Sequence, residues 1–178
     1  MRAAPGKNKR CHWGSKFAFD SNGIKFFGGG FFRGLETSGM DVIIDCGSNI
    51  HPETGPSARQ KVISIQWPDG GIPDMAAKDW RALLKLIQEQ KKSAGKGELN
   101  VLVCCSGGHG RTGTALAVIA ALTGTEPDDP VTFVRSQYCL RAVETKAQCG
   151  YVRGIMRLLA DKPSDTPPDS CEADLRWP

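Results

Sequence analysis

The residues best suited to chemistry lie in one short stretch, residues 104–113, which reads CCSGGHGRTG. Within it, Arg111 follows Cys105 after five intervening residues. A guanidinium binds two phosphate oxygens at once, a geometry that a lysine ammonium does not match. A cysteine attacks only as its thiolate, and a helix N-terminus or a nearby arginine stabilises that form. The spacing therefore predicts a thiolate nucleophile within a phosphate-binding loop.

A strand and a helix must hold this loop in place. The preceding LNVLVCC is short and apolar, as a buried strand is, whereas the following RTGTALAVIAALTG has the length and composition of a helix. A glycine-rich turn between them can point its N–H groups at one anion, and the positive end of the helix dipole adds to them. The predicted phosphate-binding residues are Ser106, Gly107, Gly108, His109, Gly110 and Arg111.

Predicted strands and helices alternate along the chain. Further strands are predicted in MDVIIDCGS and QKVISIQ, and GIKFFGGGFF is predicted as a strand or a hairpin with a glycine turn. Further helices are predicted in AAKDWRALLKLIQEQKK, VTFVRSQYC and KAQCGYVRGIMRLLA. This order predicts an α/β domain with a central, mostly parallel sheet flanked by helices, and ligands bind beyond the carboxyl ends of strands in such sheets.

Two of the predicted helices have an apolar face. The expected core residues of the first are Trp80, Leu83, Leu84 and Ile87, and those of the last are Tyr151, Ile155, Met156 and Leu159. The helix in VTFVRSQYC begins with Pro130 and is expected to be capped by Asp128 or Asp129.

Length and composition favour one globular domain. The chain has 178 residues, of which 40% are hydrophobic and 24% charged. The predicted organisation is a basic, flexible arm over residues 1–16, a domain over 17–160 and a disordered tail over 161–178. No apolar segment has the length of a signal peptide core or a membrane span, so the expectation is a soluble, cytoplasmic protein. A net charge of +4 is too small to predict nucleic-acid binding.

The seven cysteines are not arranged like a disulfide scaffold or a zinc site. They include no C-x-x-C pair, and a chain of this size can form a core without disulfides, so most are expected to be reduced thiols. Cys104, Cys105 and His109 are an alternative metal-binding set, but adjacent cysteines rarely point at one ion and no fourth ligand is evident. No metal or other cofactor is therefore expected.

The stretch CCSGGHGRTG resembles the signature H-C-x5-R-[ST]-G of the cysteine-dependent protein tyrosine phosphatase superfamily. The resemblance implies the fold of that superfamily, with Cys105 as nucleophile and Arg111 as the ligand of the phosphoryl oxygens. The Thr112 hydroxyl can hydrogen-bond the sulfur and stabilise it as a leaving group. Cys104 stands where the family usually has histidine.

A second motif, WPDGGIPD at residues 67–74, is similar to the W-P-D-x-G-x-P loop of the classical tyrosine phosphatases. The similarity implies that Asp69 is a general acid, which protonates the leaving oxygen and then accepts a proton from water. Asp74 is the competing carboxylate, but it is predicted to cap the helix that follows.

A third motif, VETKAQ at residues 143–148, resembles the family segment V/I-Q-T-x-x-Q, whose glutamine positions the hydrolytic water. The resemblance assigns that role to Gln148. Glu144 stands where the family often has its first glutamine.

The roles of three further residues stay open. Cys46 occupies a strand end where some members of the superfamily keep a cysteine that traps the oxidised nucleophile as a disulfide, but a cysteine that fills core space is the favoured alternative. Cys104 is a rival partner, although a disulfide between neighbours is strained. His109 either contacts the substrate or the Asp69 loop, or is a solvent-facing ring without a role.

The resemblance implies a phosphatase acting on phosphorylated proteins or peptides through a phosphocysteine. The chain is as short as the dual-specificity members and shows no counterpart before residue 60 of the tyrosine-bearing loop of longer members, so phosphoserine and phosphothreonine are expected beside phosphotyrosine. Alternatives are a phosphoinositide or RNA 5′-phosphate phosphatase, or a phosphate-binding module. Lipid-acting members often carry lysines in the loop, and SGGHG has none. No membrane or nucleic-acid partner is expected, and the oligomeric state is open.

Overall fold

The computed structural model describes residues 13–47, 50, 60–126 and 128–159. Most of the predicted arm and the whole predicted tail lie outside these residues, but β1 already includes residues 15 and 16 of the arm. The strands of the described part are β1 (Ser15–Ser21), β2 (Ile24–Gly30), β3 (Val42–Asp45), β4 (Lys61–Ser64) and β5 (Leu99–Cys105). The α-helices are α1 (Ala77–Ser93), α2 (Gly110–Leu122), α3 (Pro130–Gln137) and α4 (Lys146–Arg157), and a 3-10 turn spans Phe31–Arg33.

The strands form a mixed sheet in the order β1-β2-β5-β3-β4. Only β1 is antiparallel to its neighbour, and the other pairs are parallel, which confirms the predicted α/β fold with a mostly parallel sheet. The hairpin turn lies at Asn22 and Gly23, both with positive φ, a combination typical of tight hairpins. Of the two alternatives for GIKFFGGGFF, the strand is confirmed as β2 and the hairpin with a glycine turn is wrong, because Gly28, Gly29 and Gly30 pair with β5.

Alternation along β5 places the two adjacent cysteines on opposite faces of the sheet. Val103 and Cys105 belong to the large core cluster that also holds the apolar buried residues of the four helices. Leu102 and Cys104 belong to a smaller cluster on the other face, with Ile43 of β3. Because side chains alternate with period two along a strand, only one cysteine of the pair can face the helices. That cysteine is Cys105.

Helix α1 buries the face predicted for it, including Trp80 and Ile87. The predicted cap is wrong, however, since Asp74 is exposed and precedes the first helical residue by three positions. Asp79 instead accepts a hydrogen bond from the Ala76 N–H at 2.8 Å. A carboxylate in the first turn reaches back to a free amide and also interacts favourably with the helix dipole.

The other helices surround α2, which is buried along almost its whole length. Asp129, rather than Asp128, caps α3 by accepting from the Thr132 N–H at 3.1 Å. Helix α4 is rotated relative to the prediction, because its fully buried face is the one formed by Gln148, Cys149, Val152 and Ile155. Tyr151 and Met156 are only partly buried against the core.

Cys139 and Cys149 are disulfide-bonded, whereas the other three of the five described cysteines are reduced, in agreement with the prediction that most are thiols. Cys46, Cys104 and Cys105 carry free, buried thiols. A disulfide depends on two cysteines lying within about 7 Å between Cα atoms, a condition of the fold that counting cysteines does not reveal.

The described residues contain neither a membrane-spanning helix nor a metal-binding cluster. No helix there is both long and apolar enough to cross a bilayer. In the same part of the chain, no group of three or more histidine, cysteine, aspartate or glutamate side chains is placed to hold a metal ion.

Candidate active site

The loop between β5 and α2 surrounds the Cys105 sulfur with donors. The Gly108 N–H donates to the sulfur at 3.2 Å, and the Thr112 hydroxyl lies 3.1 Å from it. Both donors belong to residues that follow Cys105 closely in sequence. The turn between β5 and α2 therefore places them around the sulfur by itself. Two donors aimed at one sulfur suit an atom that carries negative charge.

Close backbone packing holds this loop against the sheet and the next loop. A Cβ atom on Gly30 would lie 2.6 Å from the carbonyl carbon of Gly107, so β2 can approach the loop only with glycine there. On the other side, a Cβ on Gly113 would lie 2.6 Å from the Ala142 Cβ. The glycine after Arg111-Thr112 is thus required by the approach of residues 142 and 143 to α2.

Cys104 and Cys46 lie near Cys105, on different faces of the sheet. Burial, the Asp45 carboxylate and Cys105 raise the pKa of Cys104 well above its usual range. Burial also raises the pKa of Cys46, and the neighbouring Cys104 and Cys105 add to the effect. Cys46 lies in the same core cluster as Cys105, whereas Cys104 lies on the other face. Both thiols are therefore held neutral beside the loop.

Arg111 is buried at the centre of the site. It contacts the Cys105 loop, to which it belongs, and the Asp69 loop. Its Nη2 lies 3.1 Å from the Ser106 hydroxyl oxygen and 3.1 Å from Asp69 Oδ1, while its Nη1 donates to the Trp67 carbonyl at 3.3 Å. The buried Nε has no hydrogen-bond partner among the described residues. A buried donor without an acceptor is costly, and a bound anion would satisfy it.

Asp69 lies on an exposed loop. Its side chain is 83% exposed, compared with 8% for Arg111. The loop is held by the buried Trp67 and by the Thr145 hydroxyl, which donates to the Gly70 carbonyl at 2.9 Å. The second and third predicted motifs are thereby joined directly.

Gln148 is fully buried and aims one side of its amide at the loop. Its Oε1 accepts from the Glu144 and Thr145 N–H groups, at 2.9 and 3.3 Å. Its Nε2 has no acceptor in the described part of the chain. A Cβ on Gly110 would lie 3.0 Å from this Nε2 and 2.8 Å from Glu144 Oε2. The Gln148 amide and the Glu144 carboxylate therefore both lie close to Gly110, the residue before Arg111.

His109 is also buried, with only 4% of its surface exposed, so the alternative of a solvent-facing ring is wrong. Its Nδ1 lies 4.0 Å from Glu144 Oε1. Glu144 also faces Arg141, whose Nη2 lies 3.7 Å away. His109 therefore connects the loop to the segment that carries Gln148.

Two contacts of the loop come from residues that the sequence analysis did not single out. The Tyr138 hydroxyl donates to the Gly108 carbonyl at 2.6 Å, and burial raises the pKa of this phenol well above its usual range. The Phe32 N–H donates to the Ser106 carbonyl at 3.0 Å. Neither residue belongs to a spaced motif, and the only signal in the sequence is the run Gly28–Gly30, which permits close packing beside β5.

The part of the chain that holds this site matches a known protein family. Residues 49–148, more than half of the chain, match the family model described as protein-tyrosine phosphatase. The chain belongs to the protein-tyrosine phosphatase family.

Two relatives match parts of the chain in sequence, and the second is itself a tyrosine phosphatase. The chain is 44% identical over 90 residues to an uncharacterized protein of Methanocaldococcus jannaschii, a match that covers 51% of this chain and 52% of that protein. It is 33% identical over 113 residues to receptor-type tyrosine-protein phosphatase V of Rattus norvegicus, covering 60% of this chain and 6% of the receptor. The chain thus spans about half the length of the first relative and a small part of the second.

Solved structures of protein-tyrosine phosphatases share the fold. The structure of Tk-PTP in its active form matches with a TM-score of 0.55 and 20% identity, covering 80% of this chain and 96% of that one. A protein tyrosine phosphatase of Trypanosoma cruzi matches with a TM-score of 0.56 and 20% identity, covering 83% of this chain and 72% of that one.

Membership of the protein-tyrosine phosphatase family gives a context for Cys104. The family signature usually has histidine at this position, and here a thiol takes its place on the sheet face away from the loop. Cys104 therefore packs with Leu102 and Ile43, and not in the core cluster that contains Cys105.

Proposed function

We propose that the protein is a cysteine-dependent phosphatase that hydrolyses phosphomonoesters of proteins through a phosphocysteine on Cys105. One observation carries the proposal: a sulfur with two donors, a buried guanidinium with an unsatisfied N–H, and an exposed carboxylate meet at the carboxyl end of β5. A binding module needs the guanidinium but has no use for a nucleophile or an acid.

In the first step the Cys105 thiolate attacks phosphorus in line with the leaving oxygen. The S–P bond forms while the P–O bond to the substrate breaks, and Asp69 gives its proton to the departing oxygen. Arg111 and the loop amides hold the other phosphoryl oxygens and stabilise the charge of the transition state. The Arg111–Asp69 ion pair opens so that the phosphate can take the guanidinium.

In the second step water attacks the phosphocysteine. The Asp69 carboxylate accepts the proton of that water, the new P–O bond forms, and the S–P bond breaks. The Thr112 hydroxyl, 3.1 Å from the sulfur, stabilises the departing thiolate. The unpartnered Nε2 of Gln148 is the donor that places the water.

The substrates in this proposal are proteins or peptides phosphorylated on tyrosine, with phosphoserine and phosphothreonine as further candidates. A cytoplasmic location remains part of the proposal. The disulfides of Cys139 and Cys149 are the observation that weighs against it, because disulfides are rare in reducing compartments.

We propose further that Cys46, rather than Cys104, protects an oxidised Cys105. Peroxide would convert the thiolate to a sulfenic acid, and the Cys46 thiol would displace water to form a disulfide. Cys46 shares the core cluster of Cys105, whereas Cys104 points to the other face. Peptide mapping after peroxide treatment tests this, with Cys46→Ser and Cys104→Ser as the pair of variants.

The experiment for the main proposal is hydrolysis of p-nitrophenyl phosphate with EDTA and a reducing agent present. We expect turnover by the wild type and by Cys104→Ser, and a loss of at least about 10³-fold in Cys105→Ser. Retained activity in Cys105→Ser, or loss of wild-type activity on adding EDTA, would contradict cysteine catalysis. A wild type that binds phosphate without turnover would make the binding module the better account.

A further inference from the structure

The 3-10 turn Phe31–Arg33 lies beside the phosphate-binding loop and presents two aromatic rings to solvent. We infer that this turn is a docking edge for the phosphorylated polypeptide, with Phe31 and Phe32 binding an apolar side chain next to the phosphorylated residue. The inference rests on the proposed function, for which it specifies the substrate class.

The turn is attached directly to the loop. Gly30 pairs with Cys105 in the register of β2 and β5, and the Phe32 N–H then donates to the Ser106 carbonyl at 3.0 Å. The Asp69 loop contacts the opposite end of the same loop, at Arg111. A substrate whose phosphate occupies the loop therefore has the acid at one end and the aromatic turn at the other.

The backbone of the turn is fixed although its rings are exposed. The Arg33 carbonyl accepts from the Gly14 N–H at 2.8 Å, and Gly34, with φ of 64°, ends the turn. A Cβ on Gly34 would lie 2.9 Å from Trp13 Nε1, so the tryptophan packs over this end. A rigid backbone lowers the entropy that a bound partner must remove.

The exposed rings form a pair. Phe31 is 46% exposed and Phe32 74%, and their centroids lie 5.8 Å apart in an edge-to-face arrangement. Trp13, 68% exposed, extends the apolar surface. Single exposed apolar residues are ordinary, but neighbouring aromatic rings on a fixed backbone are typical of interaction sites.

Charge also favours a phosphorylated polypeptide as the partner. Arg33 belongs to the same turn, and its positive charge lowers the pKa of Tyr138 against the larger rise that burial causes. Because the Tyr138 hydroxyl donates to the Gly108 carbonyl, the Arg33 charge lies near the phosphate-binding loop. Because the turn is bonded to Ser106 of the loop and an extended chain advances about 3.3 Å per residue, we place the apolar side chain one or two positions from the phosphorylated residue.

The test compares two phosphotyrosine peptides that differ only in having leucine or serine beside the phosphotyrosine. Their binding to the full chain carrying Cys105→Ser is measured by fluorescence anisotropy, and their turnover by the wild type is measured in parallel. We expect the leucine peptide to bind about tenfold more tightly, and this preference to disappear on adding Phe31→Ala or Phe32→Ala. The matched control is Phe17→Ala on β1, since Phe17 is 47% exposed and lies outside the turn.

The outcomes separate the two proposals. Leucine-dependent binding that survives both turn variants, or equal binding of the two peptides, would overturn the docking edge even if the protein is an active phosphatase. Leucine-dependent binding without wild-type turnover would support the docking edge and contradict the proposed catalysis. Preferential binding to phosphoinositide vesicles, or self-association abolished by Phe32→Ala, would overturn the choice of partner.

Discussion

The loop between β5 and α2 and the Asp69 loop meet at Arg111, but the first is buried and the second is exposed. The first loop buries the side chains of Cys105, Arg111 and Thr112 nearly or fully. They lie between β5 and α2, where Gly30 and Gly113 allow neighbouring backbone to approach closely. Asp69, 3.1 Å from the same guanidinium, is 83% exposed. One half of the site is therefore part of the core, and the other half rests on a few contacts at the surface.

This difference matches the chemistry that each half would perform. Groups that stabilise charge act best when they are fixed before the reaction, because no energy is then spent on reorienting them. An acid that must let substrate in and product out is better placed on a loop with few attachments. The Asp69 loop is attached through backbone hydrogen bonds. Its Trp67 carbonyl accepts from Arg111, and its Gly70 carbonyl accepts from the Thr145 hydroxyl.

The largest expected effect comes from the buried half. Arg111→Lys should lower kcat/KM for p-nitrophenyl phosphate by about 10³-fold, because a lysine ammonium cannot bind two phosphoryl oxygens as a guanidinium does. Arg81→Lys, at an exposed position on α1, is the matched control and should change little. Retention of more than about a tenth of wild-type activity in Arg111→Lys would mean that the guanidinium is not the phosphate ligand.

The exposed Asp69 loop should contribute less to the rate of hydrolysis, and its contribution is the proton that Asp69 gives to the leaving oxygen. Asp69→Asn should slow phosphotyrosine hydrolysis by about 10²-fold but leave phosphate binding intact, because it removes a proton donor and not a phosphate ligand. Steady-state rates and phosphate inhibition constants give the two quantities. Asp74→Asn removes the neighbouring exposed carboxylate and should match the wild type. Equal effects of the two variants would show that the acid is misassigned.

A smaller effect distinguishes the second chemical step from the first. Thr112→Val keeps the shape of the side chain but removes the donor 3.1 Å from the sulfur, so breakdown of the phosphocysteine should slow about tenfold. Rapid-quench kinetics should then show a burst of the leaving group. Thr114→Val is the control, because the Thr114 hydroxyl bonds to the Gly110 carbonyl of its own helix. No burst in Thr112→Val would remove the threonine from this step.

The smallest effect concerns the neutral thiols beside the loop. Cys46 and Cys104 have raised pKa values in the folded chain, while in the unfolded chain a thiol loses its proton near pH ~8.5. Above that pH the unfolded state binds fewer protons, so the free energy of unfolding should fall by up to about 1.4 kcal/mol per pH unit for each thiol.

Urea unfolding between about pH 8 and about pH 9, below the pKa of an ordinary tyrosine near ~10, measures this slope. Cys104→Ala should show a shallower slope than the wild type. An identical slope in the variant would mean that Cys104 ionises as readily in the fold as in the unfolded chain.

The parts of the site that could be predicted are those whose residues are close in sequence. The spacing from Cys105 to Arg111, the following Thr112 and the WPD triplet each define local geometry, and the structure brings all three together. The spacing to Arg111 favours Cys105 over Cys104 as the nucleophile, and strand alternation places Cys105, and not Cys104, on the side of the sheet that faces the helices.

The parts that could not be predicted depend on contacts between distant segments. The Tyr138 hydroxyl reaches the Gly108 carbonyl across 30 positions, and the Phe32 N–H reaches residue 106 because β2 lies beside β5. The burial of His109, whose ring lies near Glu144, has the same origin. Composition and periodicity describe each segment alone and do not specify these pairings.

The most direct test of the account is the chemical state of Cys105 during turnover. An aryl phosphate is mixed with enzyme, the reaction is stopped by acid within one turnover, and the phosphorylated residue is located by peptide mass spectrometry. The account predicts one phosphoryl group on Cys105, in the wild type and equally in Cys104→Ser. Turnover without phosphate on Cys105, or with phosphate on another residue, would contradict it.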